Sequence, residues 1–163
     1  KEFIEHFVNG LFQQEVLEIA GARFVLQKAE IVASPTFKPS MKFRAMSAIT
    51  ESVRDDFGQV KFLSTDEDWS EVIQRNLLRK YQALYGNLPK ETKLKWTWDN
   101  DYIDLQNSKG HRSSALIDIH GIKVRGWLAP FKVEGSTELI KLGYETGFGA
   151  RNSMGFGMAE HCM

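Results

Sequence analysis

Two identical tripeptides, Gly147-Phe148-Gly149 and Gly155-Phe156-Gly157, bracket the polar run Ala150-Arg151-Asn152-Ser153-Met154 in the stretch GYETGFGARNSMGFGM. Glycines permit positive φ and let another molecule come close to the main chain. Free N–H groups in such a turn form an anion-binding concavity. Arg151 adds a charge-assisted fork suited to phosphate, and Asn152 and Ser153 add neutral hydrogen bonds. The run is neither a dinucleotide nor a nucleoside-triphosphate loop. Asn152 stands where the third glycine of G-x-G-x-x-G belongs, and no Gly-Lys-Ser/Thr follows. Two readings fit the spacing: contact with phosphate, or a helix cap followed by a glycine-bent edge strand.

Histidine is the side chain best matched to acid–base work near neutral pH. His6 lies on a predicted first helix, His111 in a Lys-Gly-His-Arg loop, His120 in a turn beside Gly121, and His161 near the end of a last strand. None shows metal-ligand spacing, and no Ser/His/Asp or paired-carboxylate pattern stands out, so catalytic residues are unassigned and neither metal nor cofactor is expected. A basic stretch runs through Lys109, Arg112, Lys123, Arg125 and Lys132 against the single acid Asp118. It reads either as a surface for a polyanion or as a solvated hairpin face. Arg125-Gly126-Trp127 opens like the RNA-recognition signature, but Leu128 and Ala129 depart from it and Pro130 breaks the strand.

The elements that must position these residues follow from periodicity. Phe3, Phe7 and Leu11 mark an amphipathic helix, followed by extended runs at Glu15–Ile19 and Arg23–Val32 joined across Ala20-Gly21. Ser34-Pro35-Thr36-Phe37-Lys38-Pro39 punctuates the chain, which sets a boundary between residues 1–35 and 36–163. Met41–Thr50 alternates as a strand, Asp55–Gly58 turns, and Val60–Leu63 returns. Asp68 with Glu71 resembles a capping box for a helix carrying Trp69, Val72, Ile73, Leu77, Tyr81 and Leu84, stopped by Gly86-Asn87-Leu88-Pro89. Leu94, Trp96 and Trp98 alternate as a strand, Gln106–Ser114 reads as a polar loop, and Ala115–Ile119 and Ile122–Leu128 read as strands. Ser136 caps a short helix to about Thr146, and Phe156–His161 closes as a strand. The order from residue 41 is β-α-β-β-α-β with extra hairpins, an α+β ferredoxin-like fold with a C-terminal glycine-rich loop.

Composition agrees with a folded globular chain: 163 residues, 42% hydrophobic, with zero formal net charge. Residues 1–35 hold three basic and five acidic side chains, leaving eighteen and sixteen for the rest. No run approaches the ~18 apolar residues of a membrane span. Cys162 is the single cysteine, which excludes a disulfide within the chain and makes a cytoplasmic location the expectation.

GFGARNSMGFGM resembles the C-terminal glycine-rich signature of the CRISPR-associated endoribonucleases that process repeat RNA, the Cas six family of the RAMP superfamily. IHGIKVRGWLAPFKVEGSTELIKLGYETGFG, KFRAMSAITESV and VKFLSTDEDWSEVIQRNLLRKYQALYG are similar to the same family in the same order. The resemblance implies two tandem ferredoxin-like domains, with residues 1–35 as the end of the first and 36–163 as the second. It implies metal-independent attack of a ribose 2′-OH on the adjacent phosphate, giving a 2′,3′-cyclic phosphate and a 5′-hydroxyl. The family's catalytic histidine would then lie upstream of Lys1. The implied RNA contacts are Gly147, Gly149, Arg151, Asn152, Ser153, Gly155 and Gly157, with Lys109, His111, Arg112, Lys123 and Arg125 assigned to a hairpin on charge. Expected partners are CRISPR repeat RNA and other CRISPR proteins. A sheet edge left bare would also favour a homodimer. The alternative is a non-catalytic RNA-binding subunit.

Overall fold

The computed structural model describes residues 2–14, 16–19, 21–30 and 33–162, with side chains from Glu5 onward. The Phe3 side chain, Glu15, Ala20 and Val32 lie outside the described residues. The chain divides after Pro35 into two compact units. The first holds helix α1 (Glu2–Phe12) and a hairpin of β1 (Leu17–Ile19) and β2 (Ala22–Phe24) turned at Gly21. Both strands are shorter than the extended runs the sequence predicts.

In the second unit β3 (Ser40–Ala45), β6 (Leu94–Trp98), β9 (Pro130–Gly135) and β10 (Ala159–His161) form one antiparallel sheet in the order β10-β3-β9-β6. Helix α2 (Ser70–Tyr85) links the first two of these strands and α4 (Thr137–Thr146) the last two, which is the ferredoxin-like topology. Insertions decorate it: a hairpin of β4 (Ser52–Arg54) and β5 (Val60–Phe62), helix α3 (Asn100–Ser108), and a hairpin of β7 (Ser114–Ile119) and β8 (Ile122–Trp127).

Strand alternation drives the layering. Met41 and Phe43, Leu94, Trp96 and Trp98, and Phe131 and Val133 point to one face and are buried with Ile73, Leu77, Leu139 and Ile140 from the helices. The opposite face carries Lys42, Arg44, Lys95, Thr97, Lys132, Glu134 and Glu160. Phe131 lies at the centre, stacked on Trp96 with ring centroids 4.0 Å apart and within 5.6 Å of Phe43.

Several expectations change. The third strand of the fold is β9, whereas Arg125-Gly126-Trp127 ends β8 in the hairpin and Leu128-Ala129 is the connection between the two. Pro130 starts β9, a strand position where the missing N–H is tolerated. Met41–Thr50 is a strand only to Ala45, and beyond it Ile49 bridges to Trp127. The predicted loop from Gln106 begins inside α3, a polar helix that buries Ile103 and is capped by Asp99 through the Tyr102 N–H. The expected capping box does not form. Trp69 occupies the cap position, 2% exposed, with its indole N–H donating to Ser64 O at 2.7 Å. Asp68 accepts from Ser70 N instead, and Glu71 pairs with Arg75. Burying the indole takes precedence over the side-chain cap. The last strand starts at Ala159, because Phe156 turns inward before it.

Phe131→Ala should lower unfolding free energy by about 3–5 kcal/mol, read from urea denaturation. The exposed hairpin change Leu116→Ala should stay within about 0.5 kcal/mol of the parent chain.

Candidate nucleic-acid interface

The glycine loop runs from the end of α4 at Gly147 to β10 and contains one 3₁₀ turn, Asn152–Met154. Its two phenylalanines anchor it in different places. Phe148 is fully buried against Phe43, Trp96 and Phe131 in the sheet–helix core. Phe156 enters a smaller cluster with Ala48 and Val124 beneath the β7–β8 hairpin. The arms close on each other through Phe148 N donating to Gly157 O at 2.9 Å.

Space explains the glycines. A Cβ on Gly143 of α4 would lie 2.2 Å from the Phe148 ring, and one on Gly157 would lie 2.1 Å from Phe148 O. Gly147 and Gly149 are crowded in the same way by Asn152 and by Thr50 O. Three of the four loop glycines therefore serve the loop's own packing. Gly155 differs: its φ is +86° and nothing lies within 4 Å of a Cβ there, so its outer surface is open.

The segment Ala48–Thr50 fastens the loop to the hairpin. Ala48 O accepts from Gly157 N at 3.0 Å and Thr50 O from Ala150 N at 2.9 Å. Ile49 exchanges both backbone bonds with Trp127, and Thr50 Oγ1 donates to Arg125 O at 2.7 Å. The hairpin buries Val124 and Gly126 toward Ala48, while Leu116, Asp118, Lys123 and Arg125 share its outward face.

A cation completes the loop from below. Lys80 of α2 donates to Asn152 Oδ1 at 2.6 Å, Gly147 O at 2.7 Å and Gly149 O at 3.2 Å. Burial pulls its pKa down to about 8, and the nearby Glu51 carboxylate opposes that fall. Glu51 itself is 6% exposed with Oε1 unpartnered, and burial raises its pKa above the ordinary carboxylate value.

The residues expected to meet a ligand separate into two groups. Asn152 faces inward, its Nδ2 donating to Phe156 O at 3.0 Å and Phe148 O at 3.4 Å, so it ties the loop together. Ser153 is exposed on the 3₁₀ turn. Arg151 is half-buried at φ 61°, with its guanidinium 5.2 Å from the centre of the Phe62 ring. Lys109, His111 and Arg112 are exposed between α3 and the hairpin, and Lys123 and Arg125 are exposed along β8. No imidazole ring makes a hydrogen bond among the described residues. His161 packs edge-on to Phe43, and His6, His111 and His120 are exposed. Lys80 and Glu51 were not singled out by sequence reasoning.

A family model described as CRISPR associated protein Cas6, C-terminal, matches residues 32–161. The chain belongs to the Cas6 family. CRISPR-associated endoribonuclease Cas6 1 of Methanocaldococcus jannaschii is 31% identical over 164 residues, a match covering 96% of this chain and 58% of that protein. Among solved structures, one described as CRISPR associated protein Cas6 aligns at 28% identity with a TM-score of 0.76, over all of this chain and 64% of its own. A Cas6-related protein from Pyrococcus furiosus shares the fold at 22% identity, with a TM-score of 0.80 over 99% of this chain and 64% of its own. The chain thus spans about three fifths of these relatives.

Helix propensity alone says Gly143→Ala gains up to about 1 kcal/mol. The Phe148 ring reverses that, and the variant should lose roughly 1–3 kcal/mol of unfolding free energy. Denaturant titration decides the sign.

Proposed function

We propose that this chain grips CRISPR repeat RNA through the outer surface of the glycine loop and the basic face of the β7–β8 hairpin, within a protein that cuts precursor transcripts into guide RNAs. In this reading residues 1–35 are the end of a first ferredoxin-like domain and 36–163 the second. Arg151 carries the proposal. A non-glycine residue at positive φ persists only where its surroundings hold it there, and such strain gathers at ligand clamps. Ala150, anchored to Thr50, and Phe62 under the guanidinium supply that hold. Arg151 then offers a planar donor fork beside Gly155, whose bare surface lets a sugar–phosphate backbone approach.

The grip is electrostatic in this account. The described residues on the open face of the sheet include lysines and arginine but no aromatic platform for stacking bases. Cleavage proceeds by 2′-OH attack on the adjacent phosphate without a metal, leaving cyclic-phosphate and 5′-hydroxyl ends. The second reading, an RNA-holding subunit that does not cut, draws support from the histidines. None of their rings is hydrogen-bonded to a second titratable group among the described residues.

Incubation with labelled repeat RNA in EDTA, resolved on native and denaturing gels, tests both. Salt-sensitive binding supports the grip, and a single cut with a cyclic-phosphate end selects the nuclease over the subunit. Absence of binding overturns both. Arg151→Ala should weaken binding by roughly tenfold or more and reduce the salt slope by about one. Parent-like affinity and slope would remove Arg151 from the interface.

A further inference from the structure

We propose that Lys80 is the positioning residue that holds the 147–157 loop in its RNA-gripping shape, acting through the loop and not on the RNA. This rests on the reading of the loop as an RNA grip. All three ammonium protons have acceptors within the loop: Gly147 O, Gly149 O and Asn152 Oδ1. Two consequences follow. The carbonyl oxygens, which would repel a phosphate, are drawn inward toward α2. The Asn152 amide is also fixed in one orientation, because Oδ1 faces the cation. Its Nδ2 is thereby directed at Phe148 O and Phe156 O, one in each Gly-Phe-Gly arm. One half-buried cation therefore sets the spacing of both arms and the setting of Arg151 between them.

The charges around Lys80 are few. Glu51, just before β4, is the group whose field acts on it, and Arg75 and Arg79 of α2 act in turn on Glu51. On α4, Glu138 is engaged by Tyr81 and Glu145 by Lys141. On the loop, Arg151 is turned to Phe62. On β6, Lys95 lies on the open side of the sheet, away from α2. Lys80 is thus a lysine that sheds its proton near pH 8 while its unfolded counterpart keeps it to about 10.5. Between those values the unfolded chain binds more protons, so global stability rises with pH. The loop meanwhile loses one of three donated bonds. A positioning role and a general stability role therefore move in opposite directions over the same window.

The test measures repeat-RNA affinity from about pH 6.5 to about pH 9.5, with loop amide exchange followed without RNA. The variants are Lys80→Met, Lys80→Arg and Glu51→Gln. Parent affinity should fall on the order of tenfold across pH 8 while the denaturation midpoint does not fall. Lys80→Met should bind weakly at every pH, with faster exchange confined to the loop. Lys80→Arg keeps its charge throughout and should bind well without the step. Glu51→Gln removes the field that helps retain the proton, so the step should move to lower pH. A parent profile flat through pH 8, or Lys80→Met with parent-like affinity and loop exchange, overturns the proposal. If the parent chain binds no RNA, the functional reading has failed. Loop exchange then still decides whether Lys80 sets the loop, since unchanged exchange in Lys80→Met and Lys80→Arg rejects it. Should Lys80→Met not fold, the pH profiles of the parent and Lys80→Arg carry the decision.

Discussion

Three buried residues, Ala48, Ile49 and Thr50, hold the glycine loop and the β7–β8 hairpin together because their backbone groups bond to both elements at once. Buried main-chain donors and acceptors must be paired. Here they are paired with the glycine loop on one side and with Trp127 of the hairpin on the other. Loop and hairpin are distant in sequence from this segment, yet neither can shift without leaving a carbonyl or N–H of 48–50 unsatisfied. The ferredoxin-like sheet supplies the rigidity, since β3 delivers the segment from the middle of the sheet.

The phenylalanines extend the same constraint into side-chain packing. Phe148 belongs to the aromatic core around Phe131, and Phe156 to the small cluster under the hairpin. The loop is thus suspended between two hydrophobic anchors, with Lys80 filling the polar interior that the anchors create. Most of the glycines serve this crowding. What remains for another molecule is a narrow outer strip bearing Arg151, Ser153 and the open flank of Gly155.

Much of this was legible in the residues and some was not, for identifiable reasons. Leu94, Trp96 and Trp98 alternate so plainly, and Ser136 caps α4 so directly, that those elements could be written from the sequence. The twin Gly-Phe-Gly units announced the loop. Strand β9 was hidden because Pro130 reads as a strand breaker, although at a first strand position it breaks nothing. Helix α3 was hidden because it buries Ile103 alone among its nine residues and so leaves little periodic signal. Asn152, expected to contact RNA, has its side chain engaged within the loop and by Lys80, a partner the sequence does not reveal. Lys80 meets the loop across 67 to 72 positions of sequence, and beside Arg79 nothing local marks it as the one that turns to the loop.

The central claim is that the outer strip of the loop and the hairpin face meet RNA together. The direct measurement is backbone amide exchange of the chain with and without saturating repeat RNA. The account predicts new protection in the 150–156 strip and in the hairpin strands, with the Ala48–Thr50 segment slow to exchange in both states. Protection confined to other surfaces, with the loop and hairpin unchanged on RNA binding, would contradict it.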